Sequence, residues 1–166
     1  MTLLIDSVRA EINTLMKNNI RLMAIGNIEK MPSKTYKALQ EGIERTKHNT
    51  RMTLVLALNY SSKWEILRGV KLLAEKVAQG SLEPDEITEE MFEKTLSTIH
   101  IPDPELLIRT SGEHRLSNFL LWQLAYAEFY FTPVLWPDFK KENFYEAILN
   151  YQNRERRFGM TSEQIS

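Results

Sequence analysis

The run Met52-Thr53-Leu54-Val55-Leu56-Ala57-Leu58 constrains the fold more than any other segment. All but Thr53 are apolar, so both faces of an extended chain would be oily. A strand with one wet face alternates; an unbroken apolar run marks a strand covered on both sides. Doubly covered strands belong to parallel sheets, with crossover helices packed above and below. Three shorter segments suit the same sheet: Ile20 to Ile25, closed by Gly26; Leu106-Leu107-Ile108; and Glu128 to Phe131.

Helical patterns separate these strands. Leu4, Val8, Ile12 and Leu15 recur three or four apart over residues 2–18, and Asn18-Asn19 ends that helix. Pro32-Ser33 opens a second, with Tyr36, Leu39 and Ile43 on one stripe and His48-Asn49 at its end. Ser61-Ser62 caps a third, which Gly80 stops. Thr88 starts a short helix to about Ser97, another spans about Asn118 to Ala125, and the last runs from about Lys141 to Arg157 with Phe144, Ile148 and Tyr151 inward. Helices alternating with strands predict an α/β layered fold, its mostly parallel sheet flanked by helices. With no repeat and no low-complexity linker, residues 1–166 read as a single domain.

Composition narrows the chemistry. A net charge of −1 makes nucleic acid a poor partner. The absence of cysteine rules out disulfides, zinc–thiolate sites and thiol nucleophiles. No stretch reaches the roughly 18 apolar residues of a membrane span, and the first six residues lack a basic leader. The expectation is a cytoplasmic protein, with peripheral membrane contact left open.

In open α/β sheets ligands bind beyond the carboxyl ends of the strands. Asn59-Tyr60-Ser61-Ser62, after the second strand, leads into a helix N-terminus; it fits an anion site or an ordinary capped helix. After the third strand comes Arg109-Thr110-Ser111-Gly112-Glu113-His114-Arg115-Leu116-Ser117-Asn118. A guanidinium fork matches phosphate oxygens, serine hydroxyls add donors, and Gly112 permits a tight turn. The segment suits a diphosphate; a solvated loop with Glu113 bound to an arginine accounts for the same composition. Glu128, in an otherwise apolar stretch, is costly to bury unless paired or metal-bound. Magnesium, which takes one or two carboxylates plus substrate phosphates, and an ion pair with Arg109 or Arg115 both satisfy it. His114 lacks a carboxylate partner at fixed spacing, so a diphosphate-contacting role suits it better than that of a base. His48 and His100 read as structural, and Arg154-Glu155-Arg156-Arg157 as a solvated helix face.

The stretch Arg109 to Gln123 closely resembles the signature of the cis-prenyltransferases, the undecaprenyl diphosphate synthase type. So do Ala125-Tyr126-Ala127-Glu128-Phe129-Tyr130-Phe131, Leu135-Trp136-Pro137-Asp138-Phe139 and Arg154-Glu155-Arg156-Arg157-Phe158-Gly159. Asn59-Tyr60 with Trp64 fits as well, although Ser61-Ser62 stands where family members often have glycines. The resemblance implies condensation of isopentenyl diphosphate onto an allylic diphosphate primer with cis geometry. The product would be a long polyprenyl diphosphate for the cell-wall lipid carrier. It implies that Arg109, Arg115 and Ser117 hold the diphosphate of isopentenyl diphosphate, with Leu116 and His114 in the contact segment. Glu128 would help hold Mg2+. In a homodimer Arg157-Phe158-Gly159 would reach the partner's site, so that Arg157 and Gly159 count as substrate-binding. Met52, Leu54 and Leu56 would line the tunnel for the growing chain.

One departure is large. The family's Asp-Gly-Asn-Gly-Arg-Trp and Ser-x-Glu-Asn-Trp segments do not occur in these 166 residues. The first two strands of the family fold and the family's catalytic aspartate are therefore missing here, and no catalytic residue is assigned. The expectation is that this polypeptide alone is inactive or nearly so. Two rival readings are a non-catalytic dimer partner and a diphosphate-binding α/β module outside prenyl chemistry. Retention of Arg109, Arg115, Ser117 and Glu128 favours the enzyme lineage over the first. A closed apolar tunnel near Met52 would argue against the second.

Overall fold

A computed structural model describes the backbone of residues 2–154 and the side chains from Ala10 to Arg154. Leu4, Val8, Arg157 and Gly159 therefore fall outside the described side chains. The chain divides into two compact units, Met1–His100 and Ile101–Ser166.

In the first unit α1 (Thr2–Lys17) leads into β1 (Ile20–Ile25), α2 (Ser33–Thr46) and β2 (Met52–Ala57). The strands pair in parallel, from Ile20↔Met52 to Ile25↔Ala57. Buried Ile12, Leu15, Leu22 and Leu39 form the core, with Ile20, Ala24, Ile43, Leu56 and Leu58 packed against it. Side chains fix the register. The wholly buried Thr46 donates from Oγ1 to Gly42 O at 2.8 Å and accepts from Leu22 N at 2.9 Å, tying the end of α2 to β1. Asn49 Nδ2 donates to Ile20 O at 2.7 Å.

β2 is parallel, as its sequence demands, but it is not covered on both faces. Met52 is 52% exposed and Leu54 37%. The cause is topological: among the described residues β2 pairs with β1 alone, and α1 and α2 pack over β1. Leu56 packs on the core.

α3 (Ser62–Ala78) is capped by Ser61, whose side chain accepts from Trp64 N. It buries Ser62, Glu65, Gly69 and Leu73, at the three- and four-residue spacing of one helical face. Gly80 adopts φ +69° beyond its end, as a left-handed stop does. Thr88 caps α4 (Glu89–Glu93), which ends four residues short of the expected Ser97. The chain turns instead, and both Ser97 N and Ser97 Oγ donate to Glu65.

The second unit holds β3 (Leu106–Arg109) and β4 (Glu128–Phe131), parallel from Leu106↔Glu128 to Arg109↔Phe131, and α5 (Lys141–Gln152). The helix expected over Asn118–Ala125 is not formed; turns replace it. Ser117, Asn118 and Leu120 take φ of 51°, 62° and 45°, values a right-handed helix cannot contain. The apolar spacing that suggested the helix still buries Leu120 and Leu124, with Leu124 N bonded to Leu120 O at 2.9 Å. α5 stops at Gln152, before Arg157. Phe144 is 46% exposed rather than inward, and Ala147 is the residue the helix fully buries.

Candidate diphosphate site

Arg109 is the last residue of β3, and the chain continues beside the residues that follow β4. Thr132 N donates to Arg109 O at 2.9 Å, Gly112 N to Thr132 O at 2.9 Å, and Ser111 N to Val134 O at 2.8 Å. Ser111 and Gly112 both lie in the left-handed region, φ 68° and 67°. This reversal turns the loop out at the carboxyl end of the strand pair, where α/β folds take ligands.

The Arg109 side chain is partly buried. Its Nη2 stands 3.5 Å from Ser117 Oγ, the outer limit of a hydrogen bond. Its Nε is buried and has no hydrogen-bond partner among the described residues. A buried, unsatisfied guanidinium donor is unfavourable unless something fills it. Arg115 is 68% exposed and paired with Glu113, the ion pair expected of the solvated-loop reading. His114 is exposed, its ring centroid 4.9 Å from that of Phe131. Leu116 is half-buried and Ser117 exposed. The structure thus brings Arg109, His114 and Ser117 to one end of the β3–β4 pair, with Arg115 and Leu116 on the same loop.

Glu128 lies elsewhere. It begins β4, opposite Leu106, whereas Arg109 pairs with Phe131 three residues further on. At about 3.3 Å per residue the two ends are roughly 10 Å apart along the strand. Its partner is neither Arg109 nor Arg115 but Arg154, with Nη1 2.7 Å from Glu128 Oε2. Sequence reasoning placed Arg154 on a solvated helix face; in the structure it lies just beyond α5, with its Nε and Nη2 donating to Asn150 Oδ1 at 3.0 and 2.6 Å. No group of three or more His, Asp or Glu placed to hold a metal occurs among the described residues. Glu128 offers one carboxylate, paired here with Arg154; one or two carboxylates are what magnesium takes when substrate phosphates supply its other ligands, and no chemical step is routed through that ion.

Sequence reasoning also missed Glu65. Only 1% exposed, it accepts from Tyr60 Oη at 2.6 Å and from Ser97 N at 2.8 Å. It joins the loop after β2 to the turn before the second unit. At the Ser61 end of α3, the structure shows a capped helix start.

The features so far define an α/β protein of parallel strand pairs with a cationic loop at a strand's carboxyl end. Residues 1–159 match the prenyltransferase family described as "Putative undecaprenyl diphosphate synthase". An isoprenyl transferase of Porphyromonas gingivalis is 51% identical over 166 residues, covering 100% of this chain and 65% of that protein. A ditrans,polycis-undecaprenyl-diphosphate synthase of Coxiella burnetii is 47% identical over 165 residues, covering 99% and 70%. Among solved structures, lavandulyl diphosphate synthase from Lavandula x intermedia, in complex with dimethylallyl diphosphate, matches with a TM-score of 0.91. It is 38% identical over 96% of this chain and 69% of that one. The chain belongs to this undecaprenyl diphosphate synthase family of prenyltransferases. It spans about two thirds of the length of the curated relatives it matches.

Proposed function

We propose that this chain supplies the isopentenyl diphosphate half of a cis-prenyltransferase site, in a protein making long polyprenyl diphosphate for the cell-wall lipid carrier. The observation that carries the reading is the buried Arg109 Nε, a donor without a partner at the carboxyl end of β3. A diphosphate oxygen would satisfy it. Ser117 adds a hydroxyl beside the same guanidinium, and His114, Arg115 and Leu116 border the bound group. In the reaction the allylic C–O bond breaks and diphosphate departs with the electron pair. The alkene of isopentenyl diphosphate forms the new C–C bond, and a proton is then lost from the isopentenyl unit. This chain's part is to hold and orient the isopentenyl diphosphate, neutralising its charge in a partly buried setting. The allylic primer, the tunnel wall of Met52, Leu54 and Leu56, the homodimer with Arg157 and Gly159 reaching the partner's site, and a cytoplasmic place with peripheral membrane contact belong to the same proposal. So does the folding of residues 1–166 as one domain. Magnesium would arrive with substrate diphosphate, and Glu128 is the carboxylate that would help hold it. No helix among the described residues is long and apolar enough to cross a membrane.

Calorimetric titration with isopentenyl diphosphate tests the reading. Binding by the chain that Arg109→Ala weakens, while Arg45→Ala on α2 does not, supports it. Absence of binding, or binding indifferent to Arg109, overturns it. Equal affinity for any small diphosphate would favour the plain diphosphate-binding module.

A further inference from the structure

We infer that the amino edge of the β1–β2 pair is a docking surface for an anionic lipid bilayer. This deepens the membrane contact of the proposed function and rests on that contact, not on the diphosphate site. Charge distribution argues first. The chain as a whole carries a net charge of −1, yet the two stretches that run through this edge, residues 12–28 and 45–64, contain no aspartate or glutamate. They bring Lys17, Arg21, Arg45, Lys47 and Arg51 to it, all exposed. Lys17, Arg21 and Arg51 have no ion pair among the described residues. Arg45 donates to the neutral Asn13 Oδ1 at 3.2 Å, and Lys47 meets the carboxylate of Glu44. Like charges gathered in this way repel one another, and an anionic surface relieves the repulsion.

The edge is also rigid and partly apolar. Arg51 N donates to Asn19 O at 3.0 Å, Thr50 N to Asn19 Oδ1 at 2.9 Å, and Asn49 Nδ2 to Ile20 O at 2.7 Å. These bonds tie the turn before β1 to the turn before β2. Among the cations Met16 is 43% exposed and Met52 52%, with Met16 Sδ 3.6 Å from Asn49 Nδ2. Cations around exposed methionines suit a headgroup layer, in which the methionines enter the acyl boundary and the cations stay with the phosphates. Nucleic acid would use the charge and leave the methionines in water. The edge lies roughly 17 Å along the strands from their carboxyl ends, where α/β folds take small ligands, so these cations do not serve a substrate bound there. On the proposed function, the tunnel wall of Met52, Leu54 and Leu56 starts at this edge, and the bilayer would lie at the tunnel's end.

Vesicle co-sedimentation tests the surface without isopentenyl diphosphate, so its outcome is read separately from the Arg109 titration. The chain should partition onto vesicles of phosphatidylglycerol and phosphatidylcholine in equal parts, much less onto phosphatidylcholine alone, and less as salt is added. Each cation near such a surface contributes about fivefold, so Lys17→Gln with Arg51→Gln should lower partition roughly twenty-fivefold. Lys30→Gln with Lys34→Gln, an equal charge change beyond the carboxyl end of β1, should stay within about twofold of the parent. Met16→Gln should lower the partition that survives in high salt, a loss that a purely electrostatic contact would not show. All of these side chains are exposed, so the variants leave the core intact. The inference is overturned if the two kinds of vesicle bind alike or if the two double variants lose partition equally. It is overturned as well if Met16→Gln is silent in high salt, the result expected of a polyanionic partner such as nucleic acid.

Discussion

Arg109 and Glu65 are the two charged residues whose surroundings say most about them, for opposite reasons. Arg109 has a buried donor left over; Glu65 is buried with its acceptors engaged by Tyr60 and Ser97. Filling a charged donor with a charged acceptor is worth about 1.5–3 kcal/mol. Arg109→Ala should therefore weaken isopentenyl diphosphate binding roughly ten- to a hundredfold, read by titration calorimetry, with little loss of thermal stability. Glu65→Ala should do the reverse. It strands buried donors from two segments and should lower stability by about 2–4 kcal/mol, measured by chemical denaturation. An unchanged denaturation midpoint would refute the role given to that carboxylate. Neither position stands out in composition. Arg109 was legible because it follows an apolar strand and heads a dense polar loop. Glu65 was not, because a glutamate in the first turn of a helix usually faces solvent.

At the level of elements, junctions decide stability. Gly26 closes β1 at φ +107°, and a Cβ built there would lie 2.3 Å from Leu58 O. Gly26→Ala should destabilise the first unit by about 2 kcal/mol or more, visible as a lower melting temperature. In the second unit Tyr130 on β4 titrates above its ordinary value of 10.0, because burial disfavours the phenolate and the charge and hydrogen bond of Glu146 on α5 add to that. A group raised in the folded state stabilises fully below its unfolded pKa and loses that contribution as pH rises through the folded one. Stability should fall as pH climbs above about 10, and Tyr130→Phe should flatten that fall in denaturation curves collected across the range. Strands and capped helices were legible because short apolar runs, three- and four-residue helical spacings, Ser61, Thr88 and Gly80 all act locally. The Asn118–Ala125 helix was misread because left-handed residues at 117, 118 and 120 leave no trace in apolar spacing.

For the whole molecule, the chain's coverage of 65% and 62% of two relatives bears on activity. The proposed reading assigns these 166 residues an isopentenyl half-site and no catalytic residue. They should bind isopentenyl diphosphate yet give no long-chain product when incubated with an allylic primer. Radiolabelled product extracted from this polypeptide alone would refute that expectation. The exposed Met52 and Leu54 on β2 belong to the same scale. Their sequence predicted a strand with both faces covered, and coverage depends on what packs beside a strand rather than on the strand itself.

The sequence by itself determined the parallel α/β architecture, the strand positions, the helix caps and the family, because periodicity, capping and contiguous motifs are all carried by residues near one another in the chain. Tertiary structure alone decided that Arg109 keeps a buried donor, that Glu128 belongs to Arg154, and that Glu65 binds Ser97. Each joins or leaves apart residues distant in sequence, and the balance of desolvation and hydrogen bonding that settles a charge's partner exists only once those residues meet.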